Sequence, residues 1–138
     1  MELLNVGCGA KVFDYATNID IKADTSLNII EGDAYKLDTL YEPESIDIIY
    51  MLCPYDYYPL QSKALKVLKT HGLLVVTGNY SNTYFRELWM SSETLLENLG
   101  YETVSKKRSV HPEFSTSFTS DGEPIEPNTL KQIRLRKR

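Results

Sequence analysis

The chain has 138 residues, of which 42% are hydrophobic and 25% charged, with a net charge of −4 and a pI near 5.2. A chain of this size makes one domain and buries about two-thirds of its unfolded surface, enough for a core without disulfide staples. Membrane spans need ~20 consecutive apolar residues, which are missing here. The start Met1-Glu2-Leu3-Leu4-Asn5 lacks the basic and apolar segments of a signal peptide, and the acidity argues against a generally basic nucleic-acid binder.

Apolar runs bounded by turn residues come first. Leu3-Leu4-Asn5-Val6 stands before Gly7, Asn18-Ile19-Asp20-Ile21 follows, and Leu27-Asn28-Ile29-Ile30 precedes Gly32. Ile46 to Leu52 leads to Pro54, and Leu73 to Thr77 follows Gly72. The last two runs are nearly continuous and apolar, which suits strands buried on both faces of a parallel sheet. Between them Leu60, Ala64, Val67 and Leu68 recur at helical spacing while Lys63, Lys66 and Lys69 stay wet. That pattern predicts a helix with Pro59 in its first turn and Gly72 just past its end. Residues 82–89 add a short helical turn. A second helix begins near Ser91-Ser92-Glu93, runs through Leu95, Leu96 and Leu99, and stops at Gly100. Tyr101 to Arg108 and Thr129 to Lys137 read as strands joined by the polar stretch 109–128, hence an antiparallel hairpin. The charges of Lys131 to Arg138 suit a solvated edge strand guarded against pairing, with phosphate binding as the alternative. No repeat or linker divides the chain, so 1–138 forms a single domain.

The chemistry concentrates at Leu4-Asn5-Val6-Gly7-Cys8-Gly9-Ala10. A strand running into Gly-x-Gly lets the backbone turn sharply and approach a ligand with no Cβ in the way. Asp20, at the end of the next strand, can accept both hydroxyls of a ribose. Gly32-Asp33-Ala34 follows the third strand, where a carboxylate can reach an adenine amine.

These residues resemble a family, the class I S-adenosylmethionine-dependent methyltransferases. Leu4 to Gly9 looks like their first motif, Asn18-Ile19-Asp20 the acidic end of their second strand, and Gly32-Asp33-Ala34 their adenine-contacting motif. Ile46-Asp47-Ile48-Ile49 resembles their fourth strand, Leu65 to Val76 their "LKPGG" helix and fifth strand, and Leu95 to Tyr101 their last helix. The resemblance covers roughly residues 3–110. It implies an α/β fold: a doubly wound, mostly parallel sheet with a C-terminal antiparallel hairpin. It further implies S-adenosylmethionine as cofactor and methyl transfer to an acceptor. Gly7, Cys8 and Gly9 would contact the methionine portion and ribose, Asp20 the ribose, Ile21 the adenine ring, and Asp33 the adenine amine with Ala34 beside it. Leu52 and Cys53 would face the sulfonium.

Asp20 lies only 11 positions after Gly9, and Val12 stands where a dinucleotide fingerprint has its third glycine. This spacing disfavours a nicotinamide-binding domain, in which the acid lies ~20 residues on. It also leaves no room for a full helix between the first two strands, so the first helix is expected to be reduced.

The expected acceptor wall is Leu52 to Pro59, followed by Gly78 to Phe85 after the fifth strand. The chain has ten tyrosines, and Tyr50, Tyr55, Tyr57 and Tyr58 fall within nine positions. Tyr57, Tyr58, Asn79 and Tyr80 are the substrate candidates. Asp56 and Tyr55 are the catalytic candidates, Asp56 as base, with a helix N-cap as its alternative role. His71 reads as structural or exposed, His111 as unassigned, and no metal site is expected. Cys8 and Cys53 read as small buried thiols; so few cysteines suit a reducing, cytoplasmic compartment. A catalytically inactive cofactor-binding or scaffold domain is the alternative function. The expected partners are the cofactor and an unknown acceptor, with no membrane, nucleic acid as a less favoured option, and a homo-oligomer left open.

Overall fold

A computed structural model describes residues 1–9, 11–108 and 130–138. Seven strands form one sheet: β1 (Leu3–Val6), β2 (Thr17–Asp20), β3 (Ile29–Glu31), β4 (Ile46–Leu52), β5 (Leu68–Asn79), β6 (Tyr101–Lys107) and β7 (Leu130–Lys137). Their spatial order is β3-β2-β1-β4-β5-β7-β6. The first five strands are mutually parallel, and β7 runs antiparallel to both β5 and β6. The chain winds outward from β1 to β3, then returns to place β4 on the other side of β1. That reversal makes a topological switch point at β1 and β4, and α/β sheets bind ligands outside the C-terminal strand ends at such points.

Among the described residues three short α-helices, α1 (Ala64–Val67), α2 (Thr83–Trp89) and α3 (Glu93–Leu99), accompany the sheet. Asn82 caps α2, its side chain accepting from the Phe85 N–H, and Ser92 caps α3 in the same way through the Leu95 N–H. Gly100 ends α3 with φ +105°, a conformation that favours glycine. The main core lies on one face of the sheet. Leu4, Val6, Ile19, Ile49, Met51, Leu74, Val76, Ile133 and Leu135 pack there against Ala64, Val67, Phe85, Leu88 and Leu96.

Among the described residues, no helix lies on the opposite face. The crossover from β1 to β2 is a loop, as the Gly9–Asp20 spacing predicts, and the crossover from β2 to β3 holds only a 3-10 turn at Thr25–Leu27. A polar pair replaces the missing first helix. Asn5 Nδ2 donates to Asn18 Oδ1 at 2.9 Å and to Lys11 O at 2.8 Å. Asn18 also accepts from the Phe13 N–H and donates to Phe13 O, both at 2.9 Å. Both asparagines are buried. Their amides supply the hydrogen bonds that a buried loop backbone otherwise lacks. Phe13 then packs on Leu52 in a small second cluster with Ala16, Tyr50 and Cys53.

Several expectations are corrected. The helix expected from Pro59 to Gly72 is a 3-10 turn at Pro59–Gln61 followed by the single turn α1. Ser62 is extended between them and Leu68 extended after them, so the helical ladder cannot continue. Leu68 instead pairs with Ile46 and begins β5, five residues earlier than expected. The helical spacing still marks the inward residues, because Ala64, Val67 and Leu68 are all buried. Gly72 is no helix end. It lies in β5 where a Cβ would come within 2.8 Å of Lys69 O and 3.0 Å of Asp47 O. The C-terminal strand is not an edge strand: β7 is interior and β6 forms the edge. Smaller shifts leave Ile21 just beyond β2 and Leu27 before β3. His71 is exposed, as expected. His111, Thr129, the stretch 109–128 and Ala10 lie outside the described residues.

Candidate active site

The C-terminal ends of the parallel strands converge on the glycine turn. Gly7 and Gly9 both adopt left-handed conformations, φ +67° and +56°. A Cβ on Gly7 would lie 2.8 Å from the Tyr57 ring, whereas one on Gly9 would meet nothing within 4 Å. Gly7 is therefore fixed by what lies beneath it, and Gly9 faces open space. The Gly7 and Cys8 N–H groups donate to Ile19 O at 2.8 and 3.2 Å. The Gly9 N–H donates to Asp20 Oδ2 at 2.7 Å. Asp20 thus closes the turn through its side chain, while its Oδ1 makes a longer contact with the Lys22 N–H at 3.3 Å. Each oxygen keeps a lone pair.

Beside Asp20, Ile21 is 61% exposed. Asp33 follows β3 and accepts from the Tyr35 N–H at 2.9 Å through Oδ1, leaving Oδ2 available. The Gly32 N–H donates to Asp20 O at 2.8 Å, tying the ends of β2 and β3 together. Ala34 is buried in the main core, and Leu52 is buried beneath Phe13 on the opposite face. Cys8 and Cys53 are free thiols, Cys8 buried and Cys53 half-buried. Burial, and then the Asp20 carboxylate, pushes the Cys8 thiol up to about 11.

Tyr57, expected on the substrate wall, belongs to the floor of the turn. It is buried, and its hydroxyl donates to Val6 O at 3.2 Å. Burial above all, and then Asp20, raises its phenol far above the usual range. Asp56 and Cys53 both have positive φ, +65° and +49°. Asp56 caps no helix; Tyr58 is the residue preceding the 3-10 turn, without a side-chain cap.

Tyr55, Asp56 and Tyr58 gather around Tyr84, which the expected site residues did not include. Its ring meets Tyr58 at 4.9 Å and Tyr55 at 6.0 Å between centroids. Desolvation, and then the Asp56 carboxylate, raises the Tyr84 phenol. Asn82 Nδ2 donates to Pro54 O at 2.8 Å, so the cap of α2 also fixes the loop after β4. The Tyr58 N–H donates to the Tyr35 hydroxyl at 2.8 Å. Asn79 Oδ1 accepts from Ser81 Oγ and the Asn82 N–H, so this side chain shapes the turn after β5. A cleft of about 320 Å³ is lined by Tyr58, Tyr80, Thr83, Arg86, Glu87 and Met90. The last four stand at i, i+3, i+4 and i+7, the face of α2 opposite its buried Phe85 and Leu88. Arg86 donates to Tyr80 O at 3.1 Å and lies over the Tyr80 ring. The sequence contained a signal for this cleft, a helical period after Asn82.

Neither a family model nor a curated protein matches the chain. Solved structures do. A methyltransferase from Thermotoga maritima, described as a possible histamine N-methyltransferase, superposes with a TM-score of 0.57 at 16% identity, over 99% of this chain and 82% of that one. A methyltransferase from Methanosarcina mazei gives 0.60 at 15% identity, over 99% and 92%. One from Archaeoglobus fulgidus gives 0.61 at 14% identity, over 99% and 86%. All three are S-adenosylmethionine-dependent. The chain therefore has the fold of the class I methyltransferases, in a form with few helices.

Proposed function

We propose that this chain binds S-adenosylmethionine at the glycine turn and transfers its methyl group to an acceptor on the tyrosine-rich rim. The observation that carries the proposal is the Asp20 carboxylate, held by the Gly9 N–H at the topological switch point with Ile21 exposed beside it. The residues fit the cofactor. Both oxygens of Asp20 can still accept from ribose hydroxyls, Asp33 Oδ2 from an adenine amine, and Ile21 offers an apolar surface to a ring. Space beside Gly9 admits a ligand against the backbone.

Bound there, the sulfonium supplies an activated methyl group for in-line displacement. The protein's part is positioning. Gly7 and Gly9 bring the backbone close, and Tyr57 supports Gly7 from below. Tyr55, Tyr58 and Tyr84 form an aromatic wall for the acceptor, with Asp56 placed to take the proton that a neutral amine or hydroxyl releases. The Cys8 thiol stays protonated near neutrality and is no nucleophile. Arg86 and Tyr80 bind the part of the acceptor distant from the reacting atom.

A tritiated-methyl transfer assay on cell extract, fractionated into protein, nucleic acid and small molecules, tests this reading. Label in one fraction, reduced at least tenfold by Asp20→Ala, is the expected result. Cofactor binding with no transferred label would instead indicate an inactive binding domain.

A further inference from the structure

The charge of this chain is sharply segregated. The hairpin strands, residues 101–108 and 130–138, hold eight of the fifteen Lys and Arg but one of the nineteen acids, for a net +7. The other described residues hold seven cations and fourteen acids, for a net −7, so a total of −4 conceals a basic hairpin on an acidic body.

Protection of an edge strand does not explain the basic pole, because five of its cations lie on or just after β7, which is interior. Both faces of the hairpin carry charge. Lys106 lies over the Trp89 ring at 4.5 Å and Lys137 donates to Leu68 O, both toward the helices. On the other face, Arg134 is held by Gln132 Oε1 at 3.0 Å, and Arg136 pairs with Glu102 at 3.2 Å. Among the described residues that is the only ion pair on the hairpin, and both partners are well exposed. Lys107 and Lys131 stand at the ligand edge, since their partners Gln132 and Gly78 adjoin the end of β5.

We propose that the β6–β7 hairpin binds the phosphate backbone of a single-stranded nucleic acid. Same-face cations two residues apart lie about 6.7 Å from each other along a strand, an interval that suits successive phosphates of an extended chain. Arginine presents a fork that matches phosphate. The helices cover one face, so the available cations run from Arg134 and Arg136 on the open face to Lys107 and Lys131 at the strand ends, a bent path that a flexible strand can follow and a flat lipid surface cannot. This surface is independent of the methyl-transfer reading and is tested by binding alone.

Anisotropy of a short labelled single-stranded RNA should show binding at low salt. It should weaken about 100-fold between about 50 and 200 mM salt, as roughly five phosphate contacts imply. The combined variant Lys107→Gln, Arg108→Gln, Lys131→Gln should weaken only about tenfold over that range, with its thermal melt unchanged. Lys22→Gln with Lys36→Gln, in the acidic part, should leave the salt slope as it is. Absence of binding at about 50 mM salt, an unchanged slope in the hairpin variant, an equal fall in the Lys22 and Lys36 variant, or preference for anionic vesicles over RNA would each overturn the proposal.

Discussion

At the scale of single residues, the glycine turn is an interlocked set of contacts. The two glycines share a left-handed conformation but not its surroundings, so their substitutions separate strain from collision. Gly9→Ala should cost about 1 kcal/mol, the penalty for an ordinary residue in that conformation. Gly7→Ala should cost about 2–3 kcal/mol, because the Tyr57 ring must move as well. Urea denaturation of the two variants checks this order, and equal losses would refute the packing of Tyr57 under Gly7.

Cys8 gives a pH-dependent readout at the same place. Its thiol is raised to about 11, so the reactive thiolate is only about a thousandth of the total at pH 8. Alkylation followed by mass spectrometry should find Cys8 nearly inert at pH 8, gaining about tenfold in rate per pH unit toward pH 11. Labelling at the speed of a free cysteine would show that the site is more open.

At the scale of elements, buried amides do the work of a missing helix. Asn18 joins Asn5 to both backbone groups of Phe13, holding the loop after the glycine turn. Asn18→Leu should destabilise the protein by about 2–3 kcal/mol through buried groups left unpaired. It should also weaken cofactor binding, as calorimetry of the variant would show. A loss of stability with binding untouched would mean that the loop does not support the turn.

The sequence made the strands and the last helix legible, because Ser92, Gly100 and the apolar runs are local signals. The end of α1 was not, since Leu68 leaves the helix to pair with Ile46, 22 positions away. The acidic residues of the site stood out by their places after strands. Tyr57 stands in the same tyrosine run as the rim residues, and only its tertiary contact with Gly7 makes it a buried one. Tyr84 and Arg86 needed the geometry of α2 against the loop after β4.

At the scale of the whole molecule, the sheet carries the helices of the described residues on one face. The ligand edge, the α2 cleft and the basic hairpin adjoin one another because β5 borders both β4 and β7. This arrangement places the tyrosine-rich rim and the cationic strip on the same edge of the sheet as the glycine turn. Isothermal calorimetry of S-adenosylmethionine against the chain and its Asp20→Ala variant decides whether the glycine turn holds the cofactor. Saturable one-to-one binding is expected, weakened by about 1–3 kcal/mol in the variant; absence of heat at millimolar ligand, or equal affinity in both proteins, would rule out this cofactor site.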